Sequence, residues 1–225
     1  MKIFSYATFP LAGSNASRRR RAIWFGQLMA FPLRAIVTCL LSASVFASDL
    51  EFDEYLQRAN AAKNRGDWES VASQVAQAIN HPDLPKAGTI RSVVHLEYGR
   101  AMGVLCQYEE SEKYLLRAKE IAEKAKSPTF STLYELGALS IAQQKFAGAA
   151  DYFSQLLPMM EKELRNKSST LMVADAYEKY AVALTATGIS ERAESLRREA
   201  GKIRQTGAML PRGALTPYGA HCQKS

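Results

Sequence analysis

The stretch "HLEYGRAMGVLCQYEESEKYLLRAKEI", His95 to Ile121, reads as two helices joined by a tight turn at Cys106. Small and large residues alternate at helical spacing on both sides of it. Gly99 stands seven residues before the turn, Tyr108 two after it, Ser111 five after and Ala118 twelve after. Three more stretches align on turns of their own: Tyr55–Ile79, Leu133–Leu157 and Tyr177–Ala200. Their turn residues are Gly66, Gln144 and Gly188. The small residue before the turn recurs as Ala59, Gly137 and Ala181, and the aromatic after it as Trp68 and Phe146, with Ser190 in the fourth stretch. The next column holds Val71, Ala149 and Ala193, and the last Ala78, Leu156 and Ala200.

These columns have a physical reason. Antiparallel helices approach to about 8 Å only where the facing side chains are small. Larger residues such as Tyr98, Leu115, Leu136 and Phe153 then fill the space above and below the crossing. One hairpin cannot bury its apolar faces alone, so hairpins stack. The expected fold is all-α, a right-handed α-solenoid of about four helical hairpins over residues 48–204, with repeats at about 51–82, 89–125, 129–164 and 170–204. "HPDLPKAG" (His81–Gly88) and "KSP" (Lys126–Pro128) punctuate two of the junctions. Pro158 falls inside the second helix of the third repeat and is expected to kink or split it.

At these columns the chain resembles a tetratricopeptide-repeat (TPR) protein. The turn residues at 66, 106, 144 and 188 are spaced more widely than the family's ordinary period of about 34 residues. The closer likeness is therefore to the longer-repeat branch typified by kinesin light chains. The resemblance implies a non-catalytic scaffold whose first helices line a concave groove for a protein or peptide partner. Carried onto this sequence, the inward positions are Asp53, Leu56, Asn60 and Lys63, then Leu96 and Arg100, then Tyr134 and Ile141, then Asp175, Glu178 and Val182. Asn60, Lys63, Leu96, Arg100, Tyr134 and Glu178 are the leading groove candidates. The groove is expected to be polar at its first end, apolar in the middle and acidic at the last. The family's carboxylate clamp needs a basic residue one helical turn before Asn60; Leu56 stands there, so the clamp is not carried over.

The net charge of +7 suggests nucleic acid or an acidic membrane as partner. Its distribution argues otherwise. Lys2, Arg18 to Arg21 and Arg34 supply six of the 29 basic residues, and residues 1–47 contain no acid. The rest of the chain is nearly balanced against its 22 acidic residues. A nucleic-acid-binding body would keep a basic face interleaved with stacking aromatics; none is apparent.

Residues 1–47 read instead as an export signal, with Met29 as a possible true start. After Arg34 comes the apolar run "AIVTCLLSASVFA" (Ala35–Ala47), closing on Val45-Phe46-Ala47 before polar sequence. The run is too short for a bilayer span, which takes about 20 residues. The expected location is the periplasm or exterior of a bacterial cell, with no stable membrane span after cleavage; the alternative is an uncleaved N-terminal anchor.

Catalysis finds no support in the sequence. His81, His95 and His221 lack metal-ligand spacing to another Cys or His. "GVLCQYEES" lacks the lysine and strand of a phosphate loop. No enzyme activity, metal or cofactor is expected. The alternative to a protein partner is a small ligand, such as a cell-wall fragment, in the same groove.

Residues 205–225 form a Gly- and Pro-containing tail that still carries Leu210, Leu215 and Tyr218. After cleavage two cysteines remain, Cys106 and Cys222. In an oxidising compartment they are candidates for a disulfide. It would close a loop worth about 4–5 kcal/mol in the chain-entropy model. Roughly 18 residues beyond Arg204 suffice to cross the two hairpins between. A buried, inert Cys106 with a free or intermolecular Cys222 is the other reading.

Overall fold

Each turn column marks the joint of a helical hairpin. The computed structural model describes residues 51–164, 170–205, 215–220 and 222. The leader, with its cleavage site and Met29, lies outside them, as does His221. The helices are α1 (Phe52–Arg65), α2 (Trp68–Asn80), α3 (Thr89–Val104), α4 (Tyr108–Lys124), α5 (Phe130–Ala142), α6 (Phe146–Leu164), α7 (Thr170–Ala186) and α8 (Ser190–Arg204). They pair in order as four hairpins, each packed on the next, and there is no strand among the described residues.

All four joints close the same way. The turn residue takes left-handed backbone: Gly66 at φ 75°, Cys106 at 65°, Gln144 at 59° and Gly188 at 84°. Its N–H reaches the carbonyl three residues back, and the next N–H reaches five back, as in Cys106 to Gly103 and Gln107 to Met102 at 3.2 and 2.9 Å. This is the paired bonding of a Schellman motif, which satisfies carbonyls that a helix end leaves open. In the first three hairpins the aromatic, Trp68, Tyr108 or Phe146, is the first residue of the second helix. Trp68 is buried there and packs in the core of the first two hairpins.

The small-residue columns are the helix crossings. Ala59, Ala78, Ala118, Ala149, Ala181, Ala193 and Ala200 are all buried. A Cβ on Gly99 would come within 2.8 Å of the Leu115 side chain, and one on Gly137 within 2.8 Å of the Phe153 ring. Leu115 and Phe153 are fully buried. Each lies one turn beyond the small residue of its own helix, Ser111 or Ala149, and drops into the space the facing glycine leaves. Ser111 is held there by a hydrogen bond donated to the Gly99 carbonyl at 2.6 Å.

Helix α6 runs through Pro158 as one element, so the expected split does not occur. The carbonyl that Pro158 leaves without its usual partner belongs to Ser154. Both residues face solvent, where water meets that carbonyl and the ring displaces no packed neighbour.

Candidate interaction surface

Among the described helices, α3 touches α5 and α5 touches α7, but no two of α2, α4, α6 and α8 touch. Helices α3, α5 and α7 therefore converge on the inside of the stack, and the second helices lie apart from one another on its outside. The inward stripe of α3 carries Ile90, Val93, Glu97 and Arg100 at alternating three- and four-residue steps. That of α7 carries Asp175, Glu178 and Val182.

A chain of charges ties the first three inner helices together. Lys63 Nζ on α1 lies 3.1 Å from Glu97 Oε2. Arg100 Nη1 lies 2.7 Å from Glu97 Oε1. Arg100 Nε and Nη2 both reach Glu135 Oε1 on α5, at 2.8 and 2.6 Å. Burial pushes the Glu97 carboxyl up, but Arg100 and Lys63 outweigh it and hold it below the usual range. Burial likewise works against the Arg100 cation, and Glu135 and Glu97 reverse it. Glu135 is fully buried, and its Oε2 has no hydrogen-bond partner. Removing one member of such a chain would strand a buried charge, at about 3–5 kcal/mol.

A second polar joint links α5 to α7. Tyr134 donates its hydroxyl to Asp175 Oδ2. Lys179 pairs with Asp175 at 3.3 Å and lies over the Tyr134 ring. At the last end Glu178 accepts from Arg204 Nε at 2.6 Å, which lowers its carboxyl below the usual value.

The tail lies against this surface. Leu215 packs on the core of the third and fourth hairpins, and Tyr218 on the cores of the first three. A disulfide joins Cys106 to Cys222, with Cα atoms 5.6 Å apart across 116 residues. The Tyr108 hydroxyl donates to Cys222 Sγ at 3.0 Å.

The sequence-derived candidates therefore separate. Asn60 and Lys63 stay partly exposed, and Val182 is 44% exposed. Leu96 and Tyr134 are buried between hairpins, and Arg100 and Asp175 are buried in ionic contacts. Glu178 remains half-exposed but is paired with Arg204. The expected apolar middle is not an open trough, because the close approach of α3, α5 and α7 uses those side chains in packing. The expected acidic end is neutralised by Lys179 and Arg204. Glu97, Glu135 and Gly103 went unrecognised. Glu135 did leave a signal: it is the lone charge in the apolar run "FSTLYELGALSIA".

Away from the inner face, a hollow of about 590 Å³ lies along α4, lined by His95, Lys113, Tyr114, Leu116, Arg117 and Glu120. No group of three or more His, Cys, Asp or Glu side chains suited to a metal occurs among the described residues.

Comparison with solved structures places this architecture. BtubC (BKLC) from P. vanneervenii superposes with a TM-score of 0.61 at 15% identity, over 71% of this chain and 66% of that one. The chain is TPR-like in fold. MamA matches with a TM-score of 0.55 at 12% identity, over 72% of this chain and 84% of its own. A Podosopora anserina putative kinesin light chain with nearly identical TPR-like repeats matches with a TM-score of 0.52 at 18% identity, over 72% and 80%. The chain thus spans just under two thirds of BtubC. No family model and no curated protein matches the sequence. The TPR-like stack accounts for the inward convergence of α3, α5 and α7, and with it for the position of the charge chain.

Proposed function

We propose that this chain is an exported, non-catalytic scaffold that binds an extended protein or peptide segment along its inner face. The observation that carries the reading is a set of exposed apolar side chains on the inner face. Of the five exposed large apolar side chains among the described residues, Ile90, Val93 and Val182, at 52%, 39% and 44% exposed, sit on the inward stripes of first helices, while Leu116 lies on α4 and Ile189 at the last turn. Aliphatic side chains left in water beside charged partners are what a docking strand or helix covers. Asn60 and Lys63 extend this surface to the first hairpin with hydrogen-bonding groups.

Export is supported by the leader pattern and by a disulfide that belongs to oxidising compartments. No helix among the described residues is long and apolar enough to cross a membrane. N-terminal sequencing of the mature protein checks this part: a start near residue 48 supports export, and an intact leader on a cytosolic protein contradicts it. Crosslinking in cells checks the binding surface. Val93→Lys and Asn60→Ala are expected to lower partner capture at least tenfold while helical content stays unchanged. Capture that is indifferent to both variants removes the inner face as the site.

A further inference from the structure

Gly103 stands in the last turn of α3, where alanine is the better helix former. A Cβ there would run into the Tyr218 ring and come within 2.8 Å of Ser111 Oγ. The absent Cβ makes the floor of a socket. Arg100 and Glu135 form its inner wall, and the Tyr218 ring fills it. Burial and the Glu135 carboxylate push the Tyr218 phenol well above its usual value, so it stays protonated and able to donate. Its hydroxyl and Glu135 Oε2 are both buried and make no hydrogen bond of ordinary geometry, though the Glu135 carboxylate lies near enough to act on the phenol. The carboxylate oxygen that Arg100 leaves free is thus an acceptor suited to a phenol. Beyond Tyr218, Gly219 takes left-handed backbone near the Tyr108 hydroxyl and Ala142. Cys222 then closes the path onto Cys106, and both cysteines are partly exposed.

We propose that this socket is a binding site for a tyrosine-bearing extended peptide, filled from within by Tyr218 while the Cys106–Cys222 disulfide is closed and vacated when a dithiol reductant opens it. The proposal rests on the inner-face reading above and names the partner's chemistry. One thiolate of the reductant attacks one sulfur of the bond and expels the other as a thiolate; its second thiol resolves the mixed disulfide. The chain gains two electrons and two protons as two thiols, and the reductant leaves as a disulfide. Closed, the bond keeps Tyr218 beside its socket. Open, the tail is held by the side chains of Leu215 and Tyr218, competing only at the effective concentration of a tethered segment, in the millimolar range. A peptide that offers the same phenol and also covers Val93 and Ile90, further along the same stripe, displaces it.

The test uses the full mature chain, oxidised or treated with dithiothreitol, and a labelled probe LTPYGAHS, which is residues 215–222 with serine in place of Cys222. On reduction, amide exchange across 215–220 is expected to rise at least tenfold while the helical circular dichroism signal is kept and α5–α8 remain the slower to exchange. By fluorescence anisotropy the probe should bind the reduced chain at least tenfold more tightly than the oxidised one, and LTPAGAHS should not bind. Cys222→Ser should reproduce the reduced behaviour without reductant. Gly103→Ala should abolish probe binding to the reduced chain with its circular dichroism unchanged. Unchanged exchange in 215–220, equal probe binding to both forms, or loss of helical signal on reduction each overturns the proposal; the last would make the bond a staple of the fold. Partner crosslinking at Val93 without probe capture sinks the socket and leaves the inner-face reading standing. Loss of both sinks both.

Discussion

The second and fourth hairpins are built on the same columns but packed to different ends. In the second, Leu115 enters the gap over Gly99, Ser111 bonds back to α3, and neighbours cover both sides. In the fourth, the residue aligned with Leu115 is Arg197, which faces solvent and donates to Thr185 Oγ1 at 2.8 Å. Leu196, one residue earlier, is buried in its place. Most of the remaining α8 surface is charged: Glu191, Arg192, Glu194, Arg198 and Glu199 are all exposed. An inner hairpin of a solenoid is covered twice, whereas the last one needs a polar outer face to end the stack. The column marks where a helix crosses its partner, and the stack's end decides which side chain fills the crossing.

Truncation at the aligned positions gives the largest contrast. Leu115→Ala should cost about 2–5 kcal/mol, the range for emptying a packed core site. Arg197→Ala should stay within about 0.5 kcal/mol, as for an exposed contact. Chemical denaturation of the oxidised protein measures both. Equal losses would mean that the fourth hairpin is packed as tightly as the second. Adding a methyl group sharpens the same contrast. Gly99→Ala improves helix propensity by about 1 kcal/mol, yet it forces Leu115 out of its rotamer or the helices apart, an overpacking cost of about 1–3 kcal/mol. Net destabilisation is expected. Gly201→Ala in α8, with nothing near its missing Cβ, should stabilise the chain instead.

These contrasts also mark how far the sequence could be read. Gly99, Cys106, Tyr108 and Ser111 lie within one hairpin, so their spacing alone exposes the turn and the crossing. The inner face is different. Arg100 meets Glu135 across 35 residues, and Cys106 meets Cys222 across 116. Local periodicity says nothing about which charge pairs across hairpins. The family resemblance alone is what places Leu96 and Tyr134 on the groove. It does not register that the tight approach of α3, α5 and α7 buries them. The disulfide was legible as a possibility from cysteine count and reach. The Tyr218 socket was not, since it depends on Gly103 facing both Ser111 of the partner helix and a tail residue 115 positions further along the chain.

Acid probes the second hairpin more gently. His95 is buried against Tyr114, and its Nδ1 donates to the Arg91 carbonyl at 2.9 Å. Burial pulls the imidazole below its usual value, with the Arg91 and Arg117 charges adding to the effect and the Arg91 hydrogen bond opposing it. Below the unfolded value of about 6.5 the unfolded chain takes up protons that the folded one refuses. Stability should therefore be complete above that pH and decline as pH falls toward the lowered folded value, then level off. Melting curves of the native chain and of His95→Gln, compared at pH 7.5 and 5.5, should differ in slope. Parallel losses would assign the acid response to another group.

The turns give the smallest contrast. Gln144 and Gly188 hold equivalent left-handed positions, at φ 59° and 84°. A side chain there brings its Cβ toward the carbonyl oxygen, a strain of about 1–2 kcal/mol. Glycine relieves it but adds freedom to the unfolded chain, returning roughly 0.4–1 kcal/mol. Gln144→Gly should therefore stabilise by about 0.5–1 kcal/mol, and Gly188→Ala should destabilise by a similar amount. Cys106 carries the same strain, yet Cys106→Gly should lower stability, because it also removes a crosslink worth about 4–5 kcal/mol at this separation. A stabilising Cys106→Gly would mean that the bond contributes little to the fold. The opposite signs expected for glycine at 144 and at 106 separate what the turn prefers locally from what the tail requires of it.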